Sequence, residues 1–473
     1  MEYKTLLERL RERSSGSLAM HMPGHKRNTS LDGAEYLEKL AADIDITEID
    51  GFDDLYHAEG VLKESMERAS LLFGTRRSFY LVNGSTQGIL SAICSQIKRN
   101  DKVICARNCH KSVYNALRLS GADAFYIMPK TCPLTGAMGR ISPSEVQKAF
   151  DEHPDAKMLI MTSPTYEGLI SDTKEISEIC HKRGALLFVD AAHGAHLDLF
   201  SVFGGSARRY ADITVESLHK TLFCLTQTAI IHLGDSLSHE REEKLMNSLA
   251  VFGTSSPSYL LMASIDSAVD HLIKDGERIL NGLSAALSEF YKATESLEKL
   301  SVIRGGCERD PLKIVITADK IKGKSEELVR LLRERRIEPE MVAPTYVLCM
   351  AGLGDTRESL EKLSAALLEI DKILSLSEDN CPQIVHTHLP MRSGMKDPFD
   401  RNYLEASFEK ANGMISAEYL WAYPPGIPII TPGEIFDGEI IGMVKSYYES
   451  GLSLYSDKRG RIYCSDTLCV ISD

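Results

Sequence analysis

The sequence predicts an α/β protein, with a large, mostly parallel sheet flanked by helices and a smaller C-terminal α+β domain. Between residues 78 and 189, short apolar runs alternate with amphipathic stretches of helical period, which is how a sheet with helices on both faces is written. The alternation resumes after a long helical stretch near 259–287, with strands expected at 313–318 and 342–351 and helices at 325–335 and 357–375. At 473 residues, 43% of them hydrophobic, the chain is long enough for one large domain and one or two smaller ones.

In order, residues 1–60 read as an N-terminal helix and active-site loops, 61–290 as the large domain, and 291–473 as the smaller C-terminal part. The first seventeen residues form a charged amphipathic helix without the apolar core of a signal peptide, and no run elsewhere approaches membrane-spanning length. The loop His21-Met22-Pro23-Gly24-His25-Lys26 cannot be helix interior. Its two histidines lack a third ligand nearby, so no metal is expected. Acids then gather beside aromatics at Asp50, Asp53, Asp54 and Tyr56, followed by a helix at 61–73. Such acids also serve as helix caps. A strand at 78–82 runs into Asn83-Gly84-Ser85-Thr86 and a helix at 87–97, which places free N–H groups and two hydroxyls where an anion can bind. Further strands are expected at 103–106, 124–127, 158–162 and 185–189, with helices from 112, at 143–150 and at 173–182. His110 follows one strand and Thr165 another. Residues 375–382 read as a linker.

The chemistry converges on residues 212–221. A strand-like run there ends in Ser217-Leu218-His219-Lys220, and a lysine just past a buried strand loses hydration and shifts toward its neutral, nucleophilic form. Asp190 closes the preceding apolar strand at the sheet edge where ligands of open α/β folds bind. An aldehyde bearing a phosphate takes a lysine, and its pyridinium nitrogen takes a carboxylate, so Lys220 and Asp190 together point to pyridoxal phosphate. Alone, Ser-x-His-Lys reads more readily as a surface lysine capping a strand, and it is Asp190 and the 83–86 turn that reverse the reading.

Composition narrows the partners. The net charge of −13, from 54 basic and 67 acidic residues, argues against a general nucleic-acid binder and offers no basic membrane-binding stretch. Eleven cysteines show no Cys-x-x-Cys spacing and read as reduced thiols of a cytoplasmic protein.

Taken in order, these stretches resemble the bacterial ornithine/lysine/arginine decarboxylase family. They include the His21–Lys26 loop, the Thr47-to-Tyr56 segment, Asn83–Thr86, His110-Lys111-Ser112, Ser217–Lys220, Thr254 to Ala263, and Tyr423-Pro424-Pro425-Gly426 through Glu434. The resemblance implies an aminotransferase-like, fold type I enzyme that decarboxylates a basic amino acid. By it, Lys220 carries the internal aldimine, Asp190 holds the pyridinium nitrogen and His110 stacks on the ring. Gly84, Ser85, Thr86, Thr165, Ala192, Ser217 and His219 complete the cofactor site in this reading. Ser255 and Ser256 would reach the partner subunit's cofactor, which implies a homodimer or higher oligomer with shared sites. The proton donor to the α-carbon is Lys220 or His219. Asp50, Asp53, Asp54 and Glu434 are the candidate acids for a cationic side chain, with arginine ranked ahead of lysine and ornithine. One departure stands out: after Asp190 the short members typically read Glu-Ala-His-Gly, and this chain reads Ala191-Ala192-His193-Gly194. The alternatives are an aminotransferase or lyase of the same fold, and a cofactor-binding regulator without turnover.

Overall fold

The computed structural model describes residues 3–14, 41–132, 135–304, 308–318, 320–321, 324–376, 392, 401–423, 426–449, 453–462 and 467–471. The His21–Lys26 loop, most of the expected linker and the Pro424-Pro425 pair lie outside them.

The chain opens with α1 (Leu6–Ser14), which buries Leu6 and Leu10, and α2 (Val61–Phe73). Strands and helices then alternate: β1 (Arg77–Leu81), α3 (Gly84–Gln96), β2 (Lys102–Ala106), α4 (Lys111–Ser120) and β3 (Asp123–Ile127). After α5 (Pro143–Glu152) come β4 (Met158–Thr162), α6 (Thr173–Lys182), β5 (Leu186–Asp190), β6 (Ile213–Glu216), the single turn α7 (Leu218–Thr221) and β7 (Ala229–Leu233). Among the described residues these strands form one seven-stranded sheet in the order β1-β7-β6-β5-β4-β2-β3. From β6 through β3 every neighbour is parallel, and β7 alone runs antiparallel, between β6 and β1. Strands β5, β6 and β7 are buried along their whole length, and β5 accordingly reads as an apolar run, Leu186 to Val189, up to Asp190, whereas β6 buries Thr214 and Glu216 among its apolar residues.

Two further helices, α8 (His239–Phe252) and α9 (Tyr259–Ala293), lead out of the sheet, and the second extends six residues beyond its expected end. A second, antiparallel sheet follows, built from β8 (Ser301–Ile303), β9 (Lys313–Thr317), β10 (Met341–Val342) and β11 (Tyr346–Met350) in the order β10-β11-β9-β8. The single strand expected at 342–351 is a hairpin, with Val342 opposite Val347 and a turn at Pro344, a residue with no N–H to give a ladder. Helices α10 (Lys324–Glu334) and α11 (Arg357–Ile373) accompany this sheet. One apolar core runs continuously from Leu6 to Leu374. A separate cluster, from Ala406 to Val470, holds the last part together: β12 (Tyr403–Ala406), β13 (Leu420–Tyr423), β14 (Pro428–Ile430), α12 (Gly438–Glu449), β15 (Ser453–Ser456), β16 (Gly460–Ile462) and β17 (Leu468–Ile471).

Candidate active site

The C-terminal ends of β4, β5 and β6 lie side by side, with Thr162 in register with Asp190 and Asp190 with Val215. This edge is the crevice where ligands of open α/β sheets bind. Lys220 sits just past it on α7, flanked by β6 and β7. Burial pushes its ammonium below the ordinary lysine range, opposed by the charges of Asp190 and Glu340. Asp190 is buried and accepts the Ala192 amide at 3.1 Å. Burial raises its carboxyl, and Lys220 pulls it back.

His110 is the N-cap of α4, with its Nδ1 2.8 Å from Ser112 Oγ. The same ring also feels Lys220: burial first, then Lys220, push it down to about 4, so it is an uncharged flat surface at neutral pH. His219 donates or shares its Nδ1 proton with the Thr228 carbonyl at 2.8 Å, which leaves Nε2 with its lone pair. Burial lowers its pKa as well.

The turn expected at residues 83–86 is taken into the helix, which begins at Gly84. Gly84 opens α3 with φ of +71°, a conformation that favours glycine, and its N–H donates to Gln227 O at 2.9 Å. No side chain caps this helix at Asn83, so Ser85 and Thr86 stand on a first turn whose N–H groups no cap residue meets. The 225–228 loop that holds Gly84 also holds His219, which ties this turn to the lysine strand. Ser217 Oγ is buried and has no hydrogen-bond partner among the described residues. Thr165, also buried, shares a 3.3 Å hydrogen bond with Glu167. A low-pKa amine, a buried carboxylate that wants a cation, an uncharged aromatic ring and an unpartnered hydroxyl beside a helix N-terminus fit the lysine, ring nitrogen, ring face and phosphate of pyridoxal phosphate.

Ser255 and Ser256 are exposed, in the breaker between α8 and α9. Gly253 of the same breaker packs against α3: Tyr56 Oη accepts from Gln87 Nε2 at 3.2 Å, and a Cβ on Gly253 would collide with that hydroxyl.

The acids chosen for the substrate are placed differently from one another. Asp53 accepts the N–H groups of Gly60 at 2.9 Å and Leu62 at 2.8 Å, capping α2, and Asp54 accepts Tyr56 N–H at 2.7 Å at the start of a short turn. Glu434 is fully buried and paired with Arg107 at 3.1 Å. Its Oε2 accepts from Arg107 and from Thr431 N–H at 2.8 Å, while its Oε1 is buried without a hydrogen-bond partner among the described residues. Asp50 is exposed.

Sequence reasoning missed the role of His193 and all of Lys313. His193 Nε2 lies 3.0 Å from Lys220 Nζ, and its Nδ1 lies 2.8 Å from Lys313 Nζ. Tyr166 packs edge-on against the same ring at 4.7 Å between centroids. The signal for His193 was available, since it follows Asp190 by three residues around the same strand end.

Residues 3–309 match the family model of the Orn/Lys/Arg decarboxylase major domain, and residues 381–451 match that of the Orn/Lys/Arg decarboxylase C-terminal domain. The chain is 32% identical over 455 residues to the arginine decarboxylase of Halalkalibacterium halodurans, covering 91% of this chain and 90% of the relative. It is 31% identical over 453 residues to the arginine decarboxylase of Bacillus subtilis, covering 91% of each. Among solved structures, the lysine decarboxylase LdcF of Francisella novicida superposes with a TM-score of 0.83 at 19% identity, over 99% of this chain and 81% of that one, a likeness of fold. The chain belongs to the Orn/Lys/Arg decarboxylase family.

Proposed function

We propose that the protein releases carbon dioxide from a basic amino acid, arginine before lysine or ornithine, with pyridoxal phosphate held on Lys220. The observation that carries this reading is the placement of a pKa-lowered Lys220 opposite the buried Asp190, with uncharged His110 also facing the lysine. The bound cofactor supplies an electron sink for the bond broken at the α-carbon. Asp190 would hold the ring nitrogen, since its burial makes a cationic partner there favourable. His110 would hold the ring face, and Ser217 and the first turn of α3 would hold the phosphate, so that these residues would orient the group and the substrate on it. Lys220 Nζ or His219 Nε2 returns the proton to the α-carbon.

Arginine ranks first because two curated relatives spanning nine-tenths of the chain carry that activity in their names. We place the working unit as a homodimer in which the exposed Ser255 and Ser256 of one chain complete the site of the other. A cytoplasmic setting fits the unpaired cysteines. No helix among the described residues is long and apolar enough to cross a membrane.

The test is a product assay. Carbon dioxide and the matching amine should appear with arginine at a higher kcat/KM than with lysine or ornithine. A keto acid product with carboxylate retained would identify an aminotransferase, and cofactor binding with no product would identify a regulator.

A further inference from the structure

Two carboxylates act by their charge on Lys220, those of Asp190 and Glu340. Asp190 is buried at the end of β5 and is given to the ring nitrogen in the reading above. Glu340 comes from the second sheet instead, and it is exposed. Its backbone is fixed, because its N–H donates to Leu348 O at 2.9 Å immediately before β10 pairs with β11.

The route from Glu340 to the lysine is short and made of rings. Tyr166 stands on the turn after β4, which closes with Gly168 N–H on Thr165 O at 2.9 Å. Its hydroxyl donates to Glu340 Oε1, and its ring packs edge-on against His193 at 4.7 Å between centroids. His193 Nε2 in turn lies 3.0 Å from Lys220 Nζ. The carboxylate is therefore one phenol and one imidazole away from the nitrogen beside which the substrate's α-carbon is held in the reading above. An extended arginine or lysine side chain carries its charge about 6 Å from that carbon, a reach of the same order.

Glu340 also lacks the partners that its neighbouring acids have. Glu338 pairs with Arg333 at 2.6 Å and Glu334 with Arg330, while Asp355 accepts the Gly352 N–H at 2.9 Å and the Ser359 hydroxyl at 2.8 Å. Among the described residues no cationic side chain forms an ion pair with Glu340, and the two lysines that feel its charge, Lys220 and the buried Lys313, stand farther off. The Tyr166 hydroxyl engages one oxygen and cancels none of the charge, so a fixed anion is left open to a cation arriving from solvent.

We propose that Glu340 is the acid that receives the cationic end of the substrate side chain, with the Tyr166 hydroxyl orienting it. The class recognised is a guanidinium or ammonium on an unbranched chain as long as that of arginine or lysine. This deepens the decarboxylase reading and rests on it.

Glu340→Gln removes the charge, keeps the shape and changes an exposed position, and its melting temperature should be native. Its KM for arginine should rise about tenfold or more while kcat stays within a few-fold of native. Citrulline, in which a neutral ureido group replaces the guanidinium, should inhibit the native protein and Glu340→Gln with the same inhibition constant. By calorimetry, the amine product of arginine should bind the cofactor-loaded variant more weakly by the factor that KM has risen. Tyr166→Phe, which deletes the donor and leaves the charge, should raise KM by a smaller factor. A native KM for arginine in Glu340→Gln overturns the proposal. So does an equal loss of affinity for arginine and citrulline, which would mean that Glu340 acts only through the charge of Lys220. Absence of carbon dioxide from every basic amino acid with the native protein would overturn the decarboxylase reading itself, a result obtained before any variant is made.

Discussion

Arg107 and Glu434, 327 residues apart, meet at 3.1 Å with both side chains 1% exposed. Arg107 continues β2 of the large sheet, and it also donates to the carbonyls of Pro428 at 2.7 Å and Ile429 at 3.1 Å. The pair fastens the C-terminal part to the sheet that carries the lysine. Removing one partner leaves a buried charge without its counterion. Glu434→Gln should lower the unfolding free energy by about 3–5 kcal/mol in urea titrations, and the ratio of kcat/KM for arginine over lysine should stay near its native value. A changed ratio at native stability would return Glu434 to the substrate.

Sharing of sites across a dimer has its own test. Lys220→Ala and Ser256→Ala chains, each inactive alone, should recover part of the activity when mixed, since one kind of mixed site carries both native residues. No recovery after verified subunit exchange would mean that each chain completes its own site.

His110 should leave a mark on acid stability. Its folded pKa of about 4 lies below its ordinary 6.5, so between those values the unfolded chain binds a proton that the folded chain refuses. Stability therefore falls as pH drops from 6.5 toward 4. In the apo protein, His110→Phe should remove that contribution, retaining about 2 kcal/mol more stability relative to the native chain at pH 5 than at pH 8. Equal differences at the two pH values would mean that His110 is not held uncharged.

The parts of the site legible in the sequence are those a strand writes locally. Asp190 and Lys220 end apolar runs, and Gly84 sits between a strand and a helix, so the periodicity that locates the strands locates them too. Asp53 and Asp54 were equally legible as caps, because a cap needs only neighbours within a turn or two. The partner of Glu434 was not legible, because Arg107 lies 327 residues away in sequence and nothing local to Glu434 points to it. Lys313 was invisible for the same reason: its contact spans 120 residues and two sheets, and at the start of a strand it reads as a solvated charge.

The antiparallel return of β7 has a consequence for what Lys220 can do after it lets go. Its helical turn is pinned at both ends, with Leu218 N–H on Thr228 O, just before β7, at 3.2 Å and Leu353 N–H, from beyond β11, on Thr221 O at 2.8 Å. As the lysine proposed to hold the cofactor, Lys220 would have only its own side chain to swing on, and its freed amine would stay at a high effective molarity beside the site it had left.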